Sequence, residues 1–299
     1  MRTFSLVVAM SLFALVLTGC STAGRLHAVP ETLHERVEIP GFTGIRYRLD
    51  SAEDAEALVQ EAINSGLKEF ANMGFDGIPE QLSSANFLAI SGGGDNGAFT
   101  AGLLNGWSKS GTRPEFKLVT GVSTGGLIAP FAFLGEDYDA TLKHSYVDTE
   151  PHDILKPRWL LTALLSDALA DNTPLWRKVR KEVTREMLDR IAAEYTKGRL
   201  LFIATTDLDD RTAVIWNMTR IASSRHPKAL ELFHSVMIAS AAVPGAFPPV
   251  MIDVEVDGVK YQEMHVDGGT TSQVFVYPTT LRVSDIAKQY HVKRERNLY

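Results

Sequence analysis

Gly121-Val122-Ser123-Thr124-Gly125 spells G-x-S-x-G, and the residues around it leave few ways to fold it. Phe116, Leu118 and Val119 read as a short buried strand entering the turn, and Gly126-Leu127-Ile128-Ala129 opens an apolar helical stretch leaving it. A strand that passes through glycine, serine and glycine straight into a helix makes a sharp turn that exposes the serine hydroxyl as a nucleophile. The same letters also serve as a plain glycine-rich turn, so the pattern gains its meaning from its company in the chain.

About thirty residues upstream, Asn86-Phe87-Leu88-Ala89-Ile90 reads as a buried strand followed at once by Ser91-Gly92-Gly93-Gly94-Asp95-Asn96-Gly97. Bare backbone N–H groups near a helix start can receive a phosphate or the oxyanion of a tetrahedral acyl intermediate. Gly92, Gly94 and Gly97 also satisfy G-x-G-x-x-G, the dinucleotide fingerprint. That alternative demands an acidic residue at the end of the next strand, and the chain places Thr120-Gly121-Val122-Ser123 there. Far downstream, Val254 to Tyr261 reads as a hairpin on Asp257-Gly258, whose return strand ends at Val266-Asp267-Gly268-Gly269. Asp267 is either the start of a plain Asp-Gly-Gly turn or a carboxylate aimed into a site. Between these motifs, Ala239-Ser240-Ala241-Ala242-Val243-Pro244-Gly245-Ala246-Phe247-Pro248-Pro249 closes a helix with small residues and stops it with prolines.

Taken in this order, from Phe87 to about Pro278, the four motifs resemble the patatin-like phospholipase family. The resemblance implies a serine lipid acyl hydrolase of phospholipase A, lysophospholipase or esterase type, with Ser123 as nucleophile and Asp267 as its base. It also implies Gly92, Gly93 and Gly94 as the oxyanion loop, a lipid or other ester as substrate, and no cofactor or metal. Members usually carry Arg or Lys just before the last glycine of that loop, where this chain has Asn96 beside Asp95. A missing cation weakens the hold on an oxyanion or an anionic head group. The stretch Thr270 to Tyr277 also lacks the asparagine often found before the proline that follows, here Pro278. Asn96 therefore keeps a second reading in play: a weak or inactive member that uses the fold to bind lipid or a protein partner.

A Ser-His-Asp triad would need a histidine late in the chain. His226, His234, His265 and His291 lie well downstream of Ser123, and none sits in a recognisable catalytic turn. His265 comes closest, two residues before Asp267 and so on the same face of a strand.

At the start, Met1-Arg2 is followed by an apolar run from Phe4 to Leu17 and then Leu17-Thr18-Gly19-Cys20. The run is too short for a comfortable membrane span, and the segment resembles a bacterial lipoprotein signal. That resemblance implies removal of residues 1–19, acylation of Cys20, and a lipid-anchored place in the cell envelope. With Ser21 next, the outer membrane is favoured in a Gram-negative host. Cys20 is the sole cysteine, so no internal disulfide forms. With 30 Lys and Arg against 36 Asp and Glu, the chain carries a net charge of −6 and no basic stripe, which excludes a nucleic-acid surface.

The expected organisation is a linker over 20–49, a helical extension over 50–85 and one acyl-hydrolase domain over 86–299. Its fold class is α/β, with a mainly parallel central sheet flanked by helices. The extension is predicted to open with Ser51 as N-cap and to pack through Ala55, Leu58, Ala62, Ile63, Leu67 and Phe70. Residues 136–199 exceed one crossover, and within them Ile154-Leu155 and Trp159 to Leu165 read as a core helix or a lid. Leu200 to Thr206 and Thr212 to Met218 read as a strand pair. A further strand is expected after the charged run His291 to Arg296, which would leave the domain cut short at Tyr299.

Overall fold

Leu118–Val122 and Leu200–Asp207 are buried at every position, as strands covered by helices on both faces must be. The computed structural model describes residues 25–75, 79, 81–146, 156–157, 170–277 and 293–299. The signal segment with Cys20, Ile154-Leu155, Trp159 to Leu165, Pro278 and His291 lie outside the described residues. In chain order the strands and α-helices are β1 (Arg46–Arg48), α1 (Ala52–Asn72), β2 (Ala85–Ile90), α2 (Gly97–Lys109), β3 (Leu118–Val122), α3 (Thr124–Leu134) and α4 (Asp139–Tyr146). They continue with β4 (Lys156–Pro157), β5 (Ala170–Asp171), α5 (Thr173–Glu182), α6 (Arg185–Thr196), β6 (Leu200–Asp207), β7 (Thr212–Asn217) and α7 (Met218–Ser223). The last are α8 (Ala229–Ser240), β8 (Val250–Val256), β9 (Val259–Asp267) and β10 (Arg296–Leu298).

The centre of the sheet is the parallel set β10-β2-β3-β6, with helices in the crossovers, so the expected α/β class holds. Antiparallel strands extend it on one side, where β7 pairs β6 and β1 pairs β7. The hairpin β8-β9 turns on Asp257 (φ 51°) and Gly258 (φ 81°), the paired left-handed residues of a tight hairpin.

One register decides where the site forms. Along one edge of β6, β3 pairs as far as Val122 opposite Ala204, and β9 takes over with Asp267 opposite Thr205. The carboxyl ends of β3 and β9 therefore abut across two consecutive residues of β6. Ser123 and Asp267, 144 residues apart in sequence, become neighbours.

Two expectations change. Residues 25–49 are not a free spacer: Val29, Ile39, Ile45 and Tyr47 are buried, and β1 adds to the sheet beside β7. Their apolar side chains complete the core behind the antiparallel strands. The second change concerns α1. Ser51 caps it by accepting the Asp54 N–H, but its buried face is Leu58, Glu61, Ser65, Glu69 and Phe70, while Leu67 is exposed. Glu69 is held by Lys117 at 2.8 Å and by a bidentate Arg294 at 2.7 and 2.8 Å. Glu61 accepts from Tyr195 Oη at 2.7 Å and Asn217 Nδ2 at 3.2 Å. Charged groups with buried partners, invisible to a hydrophobic count, turn the helix. Among the described residues no helix is long and apolar enough to cross a membrane.

Candidate active site

Ser123 sits between β3 and α3 with φ 56° and ψ −128°. A side chain held at positive φ costs about 1–2 kcal/mol, so the packing around it must hold it there. The flanking glycines explain how. A Cβ on Gly121 would lie 2.4 Å from the Gly125 carbonyl oxygen, and one on Gly125 would lie 2.2 Å from the Ile90 carbonyl oxygen. Both contacts are with backbone, which cannot step aside, so the turn closes only with glycine at each position.

A hydroxyl from the Ala-Ser-Ala-Ala run fixes the turn from below. The Ser123 N–H donates to Ser240 Oγ at 3.0 Å, and Ser240 Oγ donates to the Ala204 carbonyl at 2.7 Å. Ser240 is fully buried at the end of α8. Two residues on, the Ala242 carbonyl accepts the Asp267 N–H at 3.0 Å. The segment 240–242 thus grips both the serine turn and the end of β9. In sequence this run stands out for its small residues and prolines, and nothing there marks the role of its serine.

Ser123 Oγ donates to Asp267 Oδ2 at 2.6 Å, and the other carboxylate oxygen accepts the Gly269 N–H at 2.6 Å. Asp267 is buried, and desolvation pushes its carboxyl above the ordinary range, although the bonds from Ser123 and Gly269 pull the other way. Gly268 is needed because a Cβ there would meet the Ala204 carbonyl oxygen at 2.6 Å. The Asp-Gly-Gly sequence is therefore a turn that also carries a carboxylate to the serine hydroxyl.

The glycine loop lies against the serine, since a Cβ on Gly92 would stand 3.0 Å from Ser123 Cβ. Of the expected oxyanion donors, Gly92 is already engaged, its N–H donating to the Gln273 carbonyl at 3.0 Å. Gly93 and Gly94 have N–H groups with no partner among the described residues. Thr124, which opens α3 and so has no intrahelical acceptor for its N–H, adds a third donor and ties the loop down through Oγ1 to the Gly94 carbonyl at 3.0 Å. Of the amides expected to receive an oxyanion, that of Gly92 is thus taken by Gln273, while those of Gly93 and Gly94, with the Thr124 amide beside them, have no protein partner among the described residues.

A cavity of about 380 Å³ opens beside Ser123. Leu127, Phe131, Leu175, Val179, Met237 and Phe247 give it apolar walls. Asp95 reaches its lining, and so does Lys178 from α5, whose Nζ donates to the Ser145 carbonyl at 2.5 Å. Helix α5 thus brings both a cation, Lys178, and an acid, Glu182, to the lining.

His265 does not complete a triad. It is fully buried, with Nδ1 at 2.9 Å from Thr205 Oγ1 and Nε2 at 3.1 Å from Glu263 Oε2, and its ring touches neither Ser123 nor Asp267 by hydrogen bond. His234 is bonded to the Val183 carbonyl at 2.8 Å, on another element. Asp207, Glu263 and His265 hold ligand-type atoms within 4.8 Å of one another. Protein groups already engage them, however: Arg46 pairs with Glu263, Thr205 and Glu263 flank the imidazole, and Asp207 Oδ1 accepts the Asp209 N–H at 2.9 Å. A guanidinium inside such a cluster occupies the charge role a metal ion would have.

Comparison with known proteins adds three findings. No curated protein gives a match. Among solved structures, the crystal structure of VipD from Legionella pneumophila matches with a TM-score of 0.40 and 13% identity. That match covers 74% of this chain and 50% of the other, so this chain spans about half the length of that protein. A family model described as Patatin-like phospholipase matches residues 88–279, a span that includes the glycine loop, the serine turn, the Ala-Ser-Ala-Ala run and Asp267. This chain belongs to the patatin-like phospholipase family.

Proposed function

We propose that the protein is a membrane-anchored serine acyl hydrolase acting on lipid esters through Ser123 and Asp267. At the family level the chemistry is lipid acyl hydrolysis. One observation carries the finer reading: a serine hydroxyl 2.6 Å from a buried carboxylate, on the wall of an apolar cavity of about 380 Å³. The ester carbonyl lies against Ser123 with its acyl chain along Leu127, Phe131 and Val179. Asp267 takes the hydroxyl proton as Oγ attacks, and the N–H groups of Gly93, Gly94 and Thr124 receive the oxyanion. Asp267 returns that proton to the leaving alcohol. A water then gives a proton to Asp267 and attacks the acyl carbonyl; as the acyl–Oγ bond breaks, Asp267 returns that proton to Ser123 Oγ and the carboxylic acid leaves. No imidazole is required, because the carboxylate contacts the hydroxyl directly.

A fluorophosphonate probe tests the nucleophile. The expected result is one adduct on the peptide bearing Ser123, absent in Ser123→Ala, together with turnover of short-chain p-nitrophenyl esters. A folded protein that takes no label and turns over no ester overturns the proposal. It would leave the lipid- or partner-binding reading, which Asp95 in the cavity lining and Asn96 in the loop favour.

The segment Leu17-Thr18-Gly19-Cys20 supports a mature chain that starts at an acylated Cys20 and is held in the cell envelope by that lipid. The intact mass of detergent-extracted protein is expected to show loss of residues 1–19 and gain of the acyl groups. An unmodified cysteine in the membrane-extracted chain sinks this part.

A further inference from the structure

Helix α2 leaves the active site at Gly97 and ends at Lys109, its one charged residue. The face made by Gly97, Ala101 and Leu104 is buried, as the helical period requires. The opposite face is Phe99, Gly102, Leu103 and Gly106, spaced i, i+3, i+4, i+7 and exposed at every position. Phe99 is 75% exposed and Leu103 55%. A face turned to water ordinarily carries charge, and glycines in a helix interior weaken it. Here a Cβ on Gly102 or Gly106 would meet nothing within 4 Å among the described residues, so their packing does not explain the glycines. An uncharged apolar ridge on open surface points to something that covers it.

The ridge is continuous with the site. Gly94, Asp95 and Ala98, at the start of the same helix and the loop before it, line the cavity beside Ser123. Val243, 44% exposed, lines that cavity from the segment that grips Ser123 and Asp267. Val274, 46% exposed, follows Gln273, whose carbonyl holds Gly92. Exposed apolar side chains therefore stand on three separate segments that frame the serine.

We propose that the outer face of α2, with Phe99 and Leu103 as its inserted side chains, is the surface on which the protein rests on a lipid layer. An ester then passes from that layer into the cavity without crossing water. The proposal rests on the reading of the site as one that acts on lipid. A second copy of the chain is a poorer occupant, because two large side chains on one helix supply far less than the roughly 1,200 Å² a stable interface buries. The chemistry of the face also selects the lipid. Phe99, Gly102, Leu103 and Gly106 carry no charge, the single cation of the helix, Lys109, stands at its far end, and the whole chain carries a net charge of −6, so docking runs mainly on apolar insertion and not on attraction to anionic head groups.

The test uses the chain from position 20 onward with Cys20→Ala, which lacks both the apolar run of residues 4–17 and any acyl anchor, and compares it with the same chain carrying Phe99→Asp and Leu103→Asp. Co-sedimentation with phosphatidylcholine vesicles is expected to fall about tenfold or more in the substituted chain. Adding phosphatidylglycerol to the vesicles should not strengthen binding of the parent. Hydrolysis of ester dispersed in the vesicles should fall with the partition, while turnover of soluble p-nitrophenyl butyrate and the thermal midpoint stay unchanged. Equal partition of the two chains overturns the proposal, and so does an equal loss on the soluble ester. A dimer in size-exclusion runs that the substitutions dissolve assigns the face to a second copy and overturns it as well. If neither chain turns over any ester, the catalytic reading has failed, and the sedimentation arm still decides the docking surface.

Discussion

The substitution Asp267→Asn is expected to lower kcat by about four orders of magnitude and to leave the protein at least as stable as before. The geometry accommodates the change. The amide oxygen takes over the bond from the Gly269 N–H, and the amide nitrogen donates to Ser123 Oγ where Asp267 Oδ2 had accepted. The serine keeps a partner but loses the group that removes its proton, so ground-state packing survives and acylation does not. The stability half follows from linkage. Burial raises the Asp267 carboxyl above its ordinary value of 3.8, so the native state holds that proton more tightly than the unfolded chain does. Any stability from this group is fully present below the unfolded value and is lost as pH rises through the raised native value. At neutral pH the ionised, desolvated carboxylate is therefore a liability that the amide removes. A rise in Tm of about 2–4 °C corresponds to ~1 kcal/mol in a domain of this size. As pH falls through the raised value, wild type should recover that difference while its kcat/KM falls, because the base becomes protonated. Calorimetry and pH-rate profiles on both proteins check the pair of effects. An Asp267→Asn variant with more than a few per cent of wild-type kcat, or an acid limb at the position of an ordinary exposed carboxylate, sinks the assignment of Asp267 as base.

What can be read without a structure follows from how local each signal is. The serine turn is legible because close backbone contacts admit only glycine at 121 and 125, and the hairpin at Asp257-Gly258 because both residues must adopt positive φ. The strands β2, β3 and β6 announce themselves as apolar runs. The pairing of Ser123 with Asp267 is visible from family resemblance, yet its physical cause is a register: β3 ends opposite Ala204 where β9 begins opposite Thr205. No periodicity encodes that handover. The buried face of α1 escapes the apolar pattern because Glu61 and Glu69 count as surface residues until Tyr195, Asn217, Lys117 and Arg294 are brought to them by the fold. The stretch before α1 is sheet and core in place of a spacer, and the three residues of β1 carry too little pattern to be seen alone. Gly92, an oxyanion donor by its position in the loop, is taken by Gln273 through a contact across some 180 residues. Lys178 reaches the cavity from α5, about 80 residues beyond the glycine loop in sequence.

Ser240 is the clearest residue of this long-range kind, and Ser240→Ala is expected to reduce kcat about a hundredfold with KM nearly unchanged. The Ser123 N–H, buried beneath the nucleophile, would lose its acceptor, and an unsatisfied buried donor costs about 1–3 kcal/mol. Because Ser123 is already held at positive φ, the turn has a relaxed backbone available to it once that bond is gone. Relaxation moves Oγ relative to Asp267 and the loop amides, and a displacement of about 1 Å in such a constellation costs on the order of 10²-fold. The cavity walls do not depend on Ser240, so substrate binding should survive. Substitution of Gly126 approaches the same contact from the other side, since its new Cβ would stand 2.7 Å from Ser240 Oγ and 3.1 Å from Ile203 Cγ2. Gly126→Ala should therefore reproduce the kcat defect by pushing the hydroxyl off the amide, and the double variant should be little worse than either single one, as expected for two changes that break one bond. Rates of fluorophosphonate acylation measured beside thermal midpoints separate this from general unfolding. Full additivity of the two substitutions, or a kcat loss that vanishes when the variants are assayed well below their midpoints, places Ser240 among ordinary core residues and leaves the strained turn to be held by its glycines alone.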